Sequence, residues 1–349
     1  MRRIGIALGG RLAHLPSLAR AAEQRGVDSV WASETTSSAF VQAALLAAAT
    51  RRVRVGTGIA LAFPRSPTIT AQSAADLDEL SEGRFVLGLG PQVKAVSELR
   101  FSVPFEHPAP KMREYVQAVR AVLGGYFGEA PDHRGEHYRI TLAPWPRPAG
   151  LPRRHIPIFL AAVNEGMARV AGAVADGMIG HPMSTPRYVE EVVLPNLSRG
   201  MRRAGRTPGH VELAQMVMVS VAPDPALARL EAKQQIGFYA TTRTYRPVLA
   251  LHGFEEAIPR LRAAFASGDM NTVAEEVSDE MLETFAAMGS HEEIRRRLLT
   301  YAELADEVII TVPWYAIDAN RLEERYAALL DLLDGSMPYG GGSRSGHGG

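Results

Sequence analysis

Glycines close two short apolar runs that have the composition of β-strands, VRVGTGI at residues 53–59 and FVLGLG at residues 85–90. A strand that ends in glycine presents backbone amides with no side chain in front of them. In α/β barrels, ligands bind at the carboxyl ends of the strands. The pattern therefore indicates a site for a flat, bulky group that lies against backbone. The small residues at such strand ends are Gly9, Gly10, Gly58, Gly90 and Ala162.

A second segment, AAVNEGMARVAGAVADG at residues 161–177, changes from strand to helix composition within a few residues. The strand pattern ends at Ala161 and Ala162, and the helical pattern opens within residues 163–167. The first amides of a helix have no partners inside the helix, and they form a site for an anion such as a phosphate. Asn164 or Glu165 acting only as a helix cap explains the same residues, so both interpretations stand.

Aromatic and basic residues are concentrated in FYATTRTYRPVLALHGF, residues 238–254. A wall of the substrate site is one interpretation, and a helix that packs by its aromatic side chains is an equally good one. Trp314 follows the last strand pattern, where barrel mouths bind ligands. The candidate substrate residues in these segments are Tyr239, Arg243, Tyr245, Arg246, His252 and Trp314.

Several chemistries are disfavoured by what the sequence lacks. There are no cysteines, which excludes thiol nucleophiles, disulfides and thiolate metal ligands. The motifs HExxH, GxSxG, GxxxxGKS/T and GxGxxG are absent, and His133 and His137 lie in a Pro- and Gly-rich segment, so no metal site is predicted. A paired-carboxylate glycosidase is disfavoured because the fourth strand pattern ends in Gly-Pro-Gln.

The overall charge and hydropathy further narrow the class of protein to which the chain can belong. The 38 basic and 38 acidic residues cancel, which gives no sign of a nucleic-acid-binding surface or a basic membrane anchor. No apolar run approaches the length of a membrane span, and the N-terminal apolar run is too short for a signal peptide. We therefore expect a cytoplasmic protein that acts on a small molecule and has no nucleic-acid or membrane partner.

The elements that position these residues alternate between strand and helix, which favours a parallel sheet or barrel. Eight strands are predicted, at residues 3–8, 29–32, 53–59, 85–89, 156–161, 177–180, 211–221 and 307–312. Eight such units predict an α/β fold, a (β/α)8 TIM barrel, with insertions after strands 4 and 7. We expect a single domain at residues 1–334 and a disordered Gly/Ser-rich tail at residues 335–349. A doubly wound open sheet is the alternative, but its Gly-rich phosphate loop is missing.

Several segments, in this order and spacing, resemble the bacterial luciferase-like superfamily and in particular its coenzyme F420-dependent oxidoreductases. They are LARAAEQRGVDSVWASE, VGTGIALAFPRSP, SEGRFVLGLG, PIFLAAVNEGMARVAGAVADG, HGFEE and FAAMGSHEEIRRRL. The resemblance covers about residues 3–333. It implies a TIM-type barrel, a non-prolyl cis peptide at Gly58–Ile59, a cofactor turn after strand four and a phosphate-binding turn after strand five. The cofactor-binding residues are then Gly58, Ile59, Gly90, Pro91, Gln92, Ala162, Val163, Asn164, Glu165, Gly166 and Met167.

The sequence departs from the family pattern after strand two, where several deazaflavin enzymes carry a histidine. This chain has Ser33-Glu34-Thr35 at that place, so Glu34 or Thr35 becomes the candidate proton donor. Glu98 and Arg100, which follow strand four, are further candidates at the mouth, and a solvated pair on a helix explains them equally well.

The resemblance implies hydride transfer between the deazaflavin F420 and a small organic substrate, either reduction of C=C, C=N or C=O or oxidation of an alcohol. Two alternatives stay open: an FMN-dependent monooxygenase on the same fold, and a barrel that binds a ligand without turnover. F420 carries an anionic tail beyond its phosphate, and Arg65 and Arg169 are the candidates to line its exit. The family is often dimeric, so a homodimer is a further possibility.

Overall fold

Eight parallel strands close into a barrel in the computed structural model, which describes residues 2–141, 143–147, 150–207 and 209–333. Each strand pairs with the next along the chain, and the last pairs with the first. The predicted (β/α)8 barrel is therefore confirmed, whereas the predicted tail lies outside the described residues. The strands are β1 (Arg3–Leu8), β2 (Ser29–Ala32), β3 (Arg54–Thr57), β4 (Phe85–Gly90), β5 (Ile158–Ala162), β6 (Gly177–Gly180), β7 (Glu212–Val219) and β8 (Glu307–Thr311).

Helices connect the strands around the outside of the barrel. Several begin at side-chain caps: Ser66, Asp224 and Ser278 accept first-turn amides of the helices that follow them. The helices are α1 (Leu15–Gln24), α2 (Ala39–Ala49), α3 (Pro67–Leu80), α4 (Lys94–Phe101), α5 (Pro108–Gly125), α6 (Glu165–Val174), α7 (Pro186–Tyr188), α8 (Leu194–Arg203), α9 (Pro225–Ala240), α10 (Arg246–Leu251), α11 (Ile258–Ser267), α12 (Met270–Glu275), α13 (Asp279–Phe285), α14 (His291–Ala302) and α15 (Ala319–Leu333).

Extra elements lie after β4 and after β7, where insertions were predicted. The first insertion contains a two-stranded antiparallel hairpin in which His133–Arg134 pairs with Arg139–Ile140. Glu114 of α5 attaches this hairpin, because its carboxylate accepts the backbone amide of His137 at 2.9 Å. The second insertion consists of α9 to α13 and a short strand, Ala286–Ala287, which pairs with the end of β7.

The structure differs from the sequence prediction in three places. Helix α4 was not predicted, because it has no apolar stripe: Ser97 is its buried residue, and Leu99 is 86% exposed. The strand predicted at 53–59 is shorter, since β3 covers Arg54–Thr57, and a separate strand, Ala60–Leu61, follows the cis peptide and pairs with the end of β4. The Ala286–Ala287 strand was missed because two residues are too few to show a period.

Alternate side chains of the strands fill the barrel interior. The largest of them, Trp31, is fully buried, and a Cβ at Gly56 would overlap its indole ring. Glycine within β3 is therefore required by packing. The interior residues are Ala7, Trp31, Val86, Phe159, Ile179, Ala214, Met216 and Ile309.

Paired charges close the amino-terminal end of the barrel. The side chain of Glu307 is 1% exposed, and its Oε1 accepts the indole N–H of Trp31 at 2.9 Å. Arg3 and Arg54 lie 3.5 and 3.6 Å from its other oxygen. Both arginines also contact Glu212, at 2.5 and 3.2 Å. We call this set the basal network, and its members are Arg3, Ser29, Trp31, Arg54, Glu212 and Glu307.

Candidate active site at the carboxyl end of the barrel

The carboxyl ends of β3 and β4 form the floor of the barrel mouth. The Gly58–Ile59 peptide is cis, as the family resemblance implies, and Ile59 packs against the residues that fill the barrel. A Cβ on Gly58 would lie 2.8 Å from Met216 Cε, and one on Gly90 would overlap Ile59. The two glycines therefore leave the space that Met216 and Ile59 occupy beneath the mouth, and they also leave the backbone there without a side chain in front of it.

The turn after β4 is held by its own side-chain contacts. Gln92 has a φ of 67°, and its side-chain oxygen accepts the amide of Val93 at 2.9 Å. The hydroxyl of Ser97 donates to the carbonyl of Pro91 at 3.2 Å. Pro91 and Gln92 are thus fixed against the start of α4, beside the mouth.

Glu98 lies on the solvent side of this helix. Its carboxylate is 3.8 Å from the Lys94 ammonium one turn earlier, and its side chain is 37% exposed. Arg100 is exposed on the same helix. Glu98 thus pairs with Lys94 on the solvated face of the helix, and a role for Glu98 or Arg100 at the mouth remains a prediction.

The start of α6 is open to a ligand. Asn164 is the N-cap residue, but its side chain makes no cap hydrogen bond, and its buried Oδ1 has no partner among the described residues. A Cβ on Gly166 would meet only the Cβ of Ala109, at 3.9 Å. Among the described residues, no side chain caps the first-turn amides of this helix, which is a condition for an anion site.

The candidate proton donor Glu34 is held in an ion pair. Both carboxylate oxygens accept from Arg65, and one also accepts the amide of Leu61 at 2.7 Å. The Glu34 side chain is 8% exposed. In this arrangement the carboxylate is an acceptor that fixes the segment after the cis peptide. Thr35 lies exposed on the same loop.

The arginines predicted to line an exit for the cofactor tail both have protein partners. Arg65 is bound by Glu34, and its guanidinium lies 5.2 Å from the ring of Phe40. Arg169 donates to Glu165 at 3.0 Å and to Asn196 at 2.7 Å. Arg65 uses both terminal nitrogens on Glu34, whereas both contacts of Arg169 use Nη1 alone, so a role for either arginine in binding the tail remains a prediction.

His181, which sequence reasoning missed, lies at the centre of the opposite side of the mouth. It follows β6 directly, and its ring centroid lies 4.4 Å from that of Tyr245 and 4.6 Å from that of Tyr239. Its Nε2 lies 2.9 Å from the Tyr245 hydroxyl, and its Nδ1 accepts the amide of Met183 at 3.2 Å. Burial lowers the pKa of His181 to about 3, so the imidazole is neutral at physiological pH. A histidine immediately after a predicted barrel strand was the signal that could have revealed it.

Two predicted substrate residues, Tyr239 and Trp314, meet beside His181. The indole N–H of Trp314 donates to the Tyr239 hydroxyl at 3.3 Å. The backbone amides of Trp314 and Tyr315 both donate to the side-chain oxygen of Gln235 at 2.9 Å. The segment after β8 is thereby attached to α9, and the insertion after β7 becomes one wall of the mouth.

The other predicted residues of the aromatic and basic segment, residues 238–254, differ in their contacts. Arg243 is exposed. Arg246 pairs with Glu255 at 2.5 Å on the surface. The imidazole of His252 is 2.8 Å from the Thr185 hydroxyl. Arg243 therefore remains a predicted substrate residue without a contact that supports the prediction.

Within residues 2–141, 143–147, 150–207 and 209–333, no group of three or more His, Cys, Asp or Glu side chains is arranged to hold a metal ion. Over the same ranges, no helix has the length and apolar character needed to cross a membrane.

The fold and the mouth define a TIM barrel with a helix start and an aromatic wall at the carboxyl ends of its strands. The family model for luciferase-like monooxygenases matches residues 3–307. The chain belongs to this luciferase-like family. It is 38% identical over 309 residues to an uncharacterized protein of Mycobacterium tuberculosis, covering 86% of this chain and 90% of that protein.

A relative with a described activity is the 5,10-methylenetetrahydromethanopterin reductase of Methanolobus tindarius. It is 30% identical over 295 residues, covering 82% of this chain and 85% of the reductase. Among solved structures, the coenzyme F420-dependent tetrahydromethanopterin reductase of Methanopyrus kandleri superposes with a TM-score of 0.78 at 23% identity, covering 94% of this chain and 98% of the other. The fold is the same in both molecules.

Proposed function

We propose that the protein is a coenzyme F420-dependent oxidoreductase that transfers hydride between the deazaflavin and a small organic substrate. The reaction class is reduction of C=C, C=N or C=O, or oxidation of an alcohol. The relative from Methanolobus tindarius, which is a 5,10-methylenetetrahydromethanopterin reductase, supports this proposal. When bound, the cofactor supplies the redox chemistry, and the chain binds it, orients the substrate and excludes water.

The open start of α6 is the observation that carries the proposal. A phosphate held there receives amides from residues 165–167 and the favourable end of the helix dipole. The side chain of Asn164, whose buried oxygen has no partner among the described residues, lies beside it, and its NH2 group is the end that can donate to a phosphate. The ring system is then expected against Gly58 and Ile59, between the turn at Pro91 and Gln92 and the end of β5 at Ala162 and Val163. These cofactor contacts remain a proposal.

Glu34 and Thr35 remain the proposed proton donors, with different requirements. Glu34 can carry a proton only when Arg65 leaves its carboxylate, because both oxygens now accept hydrogen bonds. Thr35 has an exposed side chain that needs no such rearrangement. In the described arrangement, Glu34 serves chiefly to position the segment after the cis peptide.

Lys111 is the contact we propose for the anionic tail of F420. It lies in the first turn of α5, two residues after Ala109, whose Cβ faces Gly166. Its ammonium lies 4.6 Å from the centroid of Phe63. FMN ends at its phosphate, so a contact beyond the phosphate distinguishes the two cofactors.

Titration of the apo-protein with F420 and with FMN, followed by fluorescence, tests the proposal. We expect F420 to bind more tightly than FMN. Gly166→Pro removes one first-turn amide and should weaken both cofactors about tenfold, since one charge-assisted hydrogen bond is worth roughly 1.5–3 kcal/mol. The fold tolerates this change, because proline already occupies the second position of α1, α8, α10 and α11.

Two variants control this titration. Glu292→Pro removes the amide at the equivalent second position of α14 and should leave both affinities unchanged. Lys111→Gln should weaken F420 and spare FMN. Unchanged cofactor affinity in folded Gly166→Pro would remove the α6 site from the proposal.

The two alternatives predict different results. An FMN-dependent monooxygenase would bind FMN tightly, ignore F420 and consume oxygen with substrate. A non-catalytic barrel would bind a cofactor or other ligand but show no turnover with the reduced form. Either pattern in the wild-type protein would replace the F420 proposal.

We also propose that the protein is a homodimer. Val41 on α2 and Ile69 on α3 are 51% and 52% exposed, and they lie on neighbouring helices. Exposed apolar side chains of this kind are typical of association surfaces. Light scattering should give twice the monomer mass, and Val41→Lys should reduce it. A monomer at all concentrations would reject the dimer.

A further inference from the structure

The walls of the mouth differ in chemistry. Residues 58, 59 and 90 and the start of α6 follow β3, β4 and β5, whereas His181 follows β6 and Trp314 follows β8. In a closed barrel with neighbouring strands in sequence order, these two sets lie on different sides of the mouth. The first set offers backbone and small residues, and the second offers an imidazole and phenols.

The hydrogen bonds of His181 determine which atom carries its proton. The amide of Met183 donates to Nδ1, so in the neutral imidazole the proton is on Nε2. Nε2–H therefore donates to the oxygen of Tyr245, 2.9 Å away. The hydroxyl hydrogen of Tyr245 is not used by His181, and it is free to donate to another group.

Tyr239 is arranged in the same way by a different partner. An indole N–H can only donate, so the Tyr239 oxygen accepts from Trp314 and its own hydrogen is free. Burial raises the pKa of Tyr239 to about 12 and raises that of Tyr245 as well, so both phenols keep their protons. The two rings are 5.5 Å apart, between centroids.

We infer that this wall binds the oxygen of a carbonyl substrate, with Tyr239 and Tyr245 as its hydrogen-bond donors and His181 as the residue that positions Tyr245. The inference rests on the proposed function, and it deepens it by selecting C=O over C=N and C=C. Two free donors match the two lone pairs of a carbonyl oxygen, whereas an imine nitrogen has only one lone pair and an alkene has none. Partly buried Phe238 and Tyr315, stacked at 3.8 Å, continue the wall and favour a planar, apolar remainder of the substrate.

A chromophoric aldehyde tests the inference without any cofactor. 4-(Dimethylamino)cinnamaldehyde is planar, and its absorption moves to the red when its carbonyl accepts hydrogen bonds. The wild-type apo-protein should bind it with a red shift. Tyr245→Phe and Tyr239→Phe should each bind about fivefold more weakly with a smaller shift, as expected for the loss of one hydrogen bond of about 1 kcal/mol.

Matched variants separate recognition from folding. Tyr138→Phe removes a buried hydroxyl that has no partner in the described structure, in the hairpin after β4, and should change nothing. His181→Phe keeps a ring but removes the donor to Tyr245, and should reduce the red shift. His181→Gln restores an N–H donor and should recover it, a result that a purely structural residue would not give.

Each remaining outcome overturns one proposal or the other. No aldehyde binding, binding without a red shift, or a red shift that persists in the double variant Tyr239→Phe/Tyr245→Phe would overturn the inference. F420 titration of the same preparations tests the proposed function separately. A red shift in a protein that does not bind F420 rejects only the F420 proposal, and F420 binding without a red shift rejects only the carbonyl site.

Discussion

At the amino-terminal end of the barrel, Glu307 accepts from Trp31 and lies within 3.6 Å of Arg54, whereas at the carboxyl mouth Tyr239 and Tyr245 each keep an unused hydroxyl hydrogen. At the mouth, the buried side-chain oxygen of Asn164, an acceptor, also has no partner among the described residues. Both regions are largely buried and built on the same eight strands. The basal network pairs most of its polar groups with one another, although Arg3 Nε and Glu307 Oε2 face each other at 3.5 Å without a hydrogen bond. The mouth, in contrast, leaves two phenol donors unused. This difference indicates that the basal network serves stability and the mouth serves binding.

Removing the central acid of the basal network should have the largest effect. Glu307→Ala leaves Arg3, Arg54 and the Trp31 indole without their shared acceptor and should destabilise the fold by about 3–5 kcal/mol. Urea unfolding measures the change. Glu191→Ala removes an exposed partner of Arg187 and should cost less than about 1 kcal/mol. Equal effects of the two substitutions would contradict the role of the basal network.

A methyl group added inside the barrel should lower the free energy of unfolding less than Glu307→Ala does. A methyl group added at the mouth should not lower it. Gly56→Ala overlaps the buried ring of Trp31 and should destabilise the protein by about 1–3 kcal/mol. Gly166→Ala meets only the Cβ of Ala109 at an ordinary contact distance. Its stability should be unchanged or higher by up to about 1 kcal/mol, because alanine favours a helix. Thermal unfolding of the pair tests this, and a destabilised Gly166→Ala would show that the start of α6 is not open.

The pH dependence of stability should reveal the buried histidine at the mouth. Burial lowers the pKa of His181 from its ordinary value near 6.5 to about 3, so below pH 6.5 the unfolded chain binds a proton that the folded chain does not. The free energy of unfolding should therefore fall by about 2 kcal/mol between pH 7 and pH 5 through this residue alone. Comparing the wild type with His181→Gln isolates the contribution. A difference between the two proteins that does not change with pH would show that His181 titrates normally.

The order of the eight strands, both insertions and the helix start at residues 163–167 could be predicted because their signals are local. Alternation of strand and helix, glycine at strand ends and a polar residue before a helix all act within a few residues. The cis peptide at Gly58–Ile59 was implied by the family resemblance and is present. Helix α4 was missed because its one buried residue, Ser97, gives no apolar period.

The partners of the polar residues at the mouth were decided by tertiary structure. Glu34 meets Arg65, His181 meets Tyr245, and Trp314 meets Tyr239, at separations of 31, 64 and 75 residues along the chain. No local pattern predicts such pairs, because each forms only when the barrel closes and the insertion after β7 folds over its mouth. The sequence by itself determined the barrel and which strand ends and helix start lie at its mouth. Barrel closure determined which donors remain free there, since a donor is available only when no distant residue has taken it.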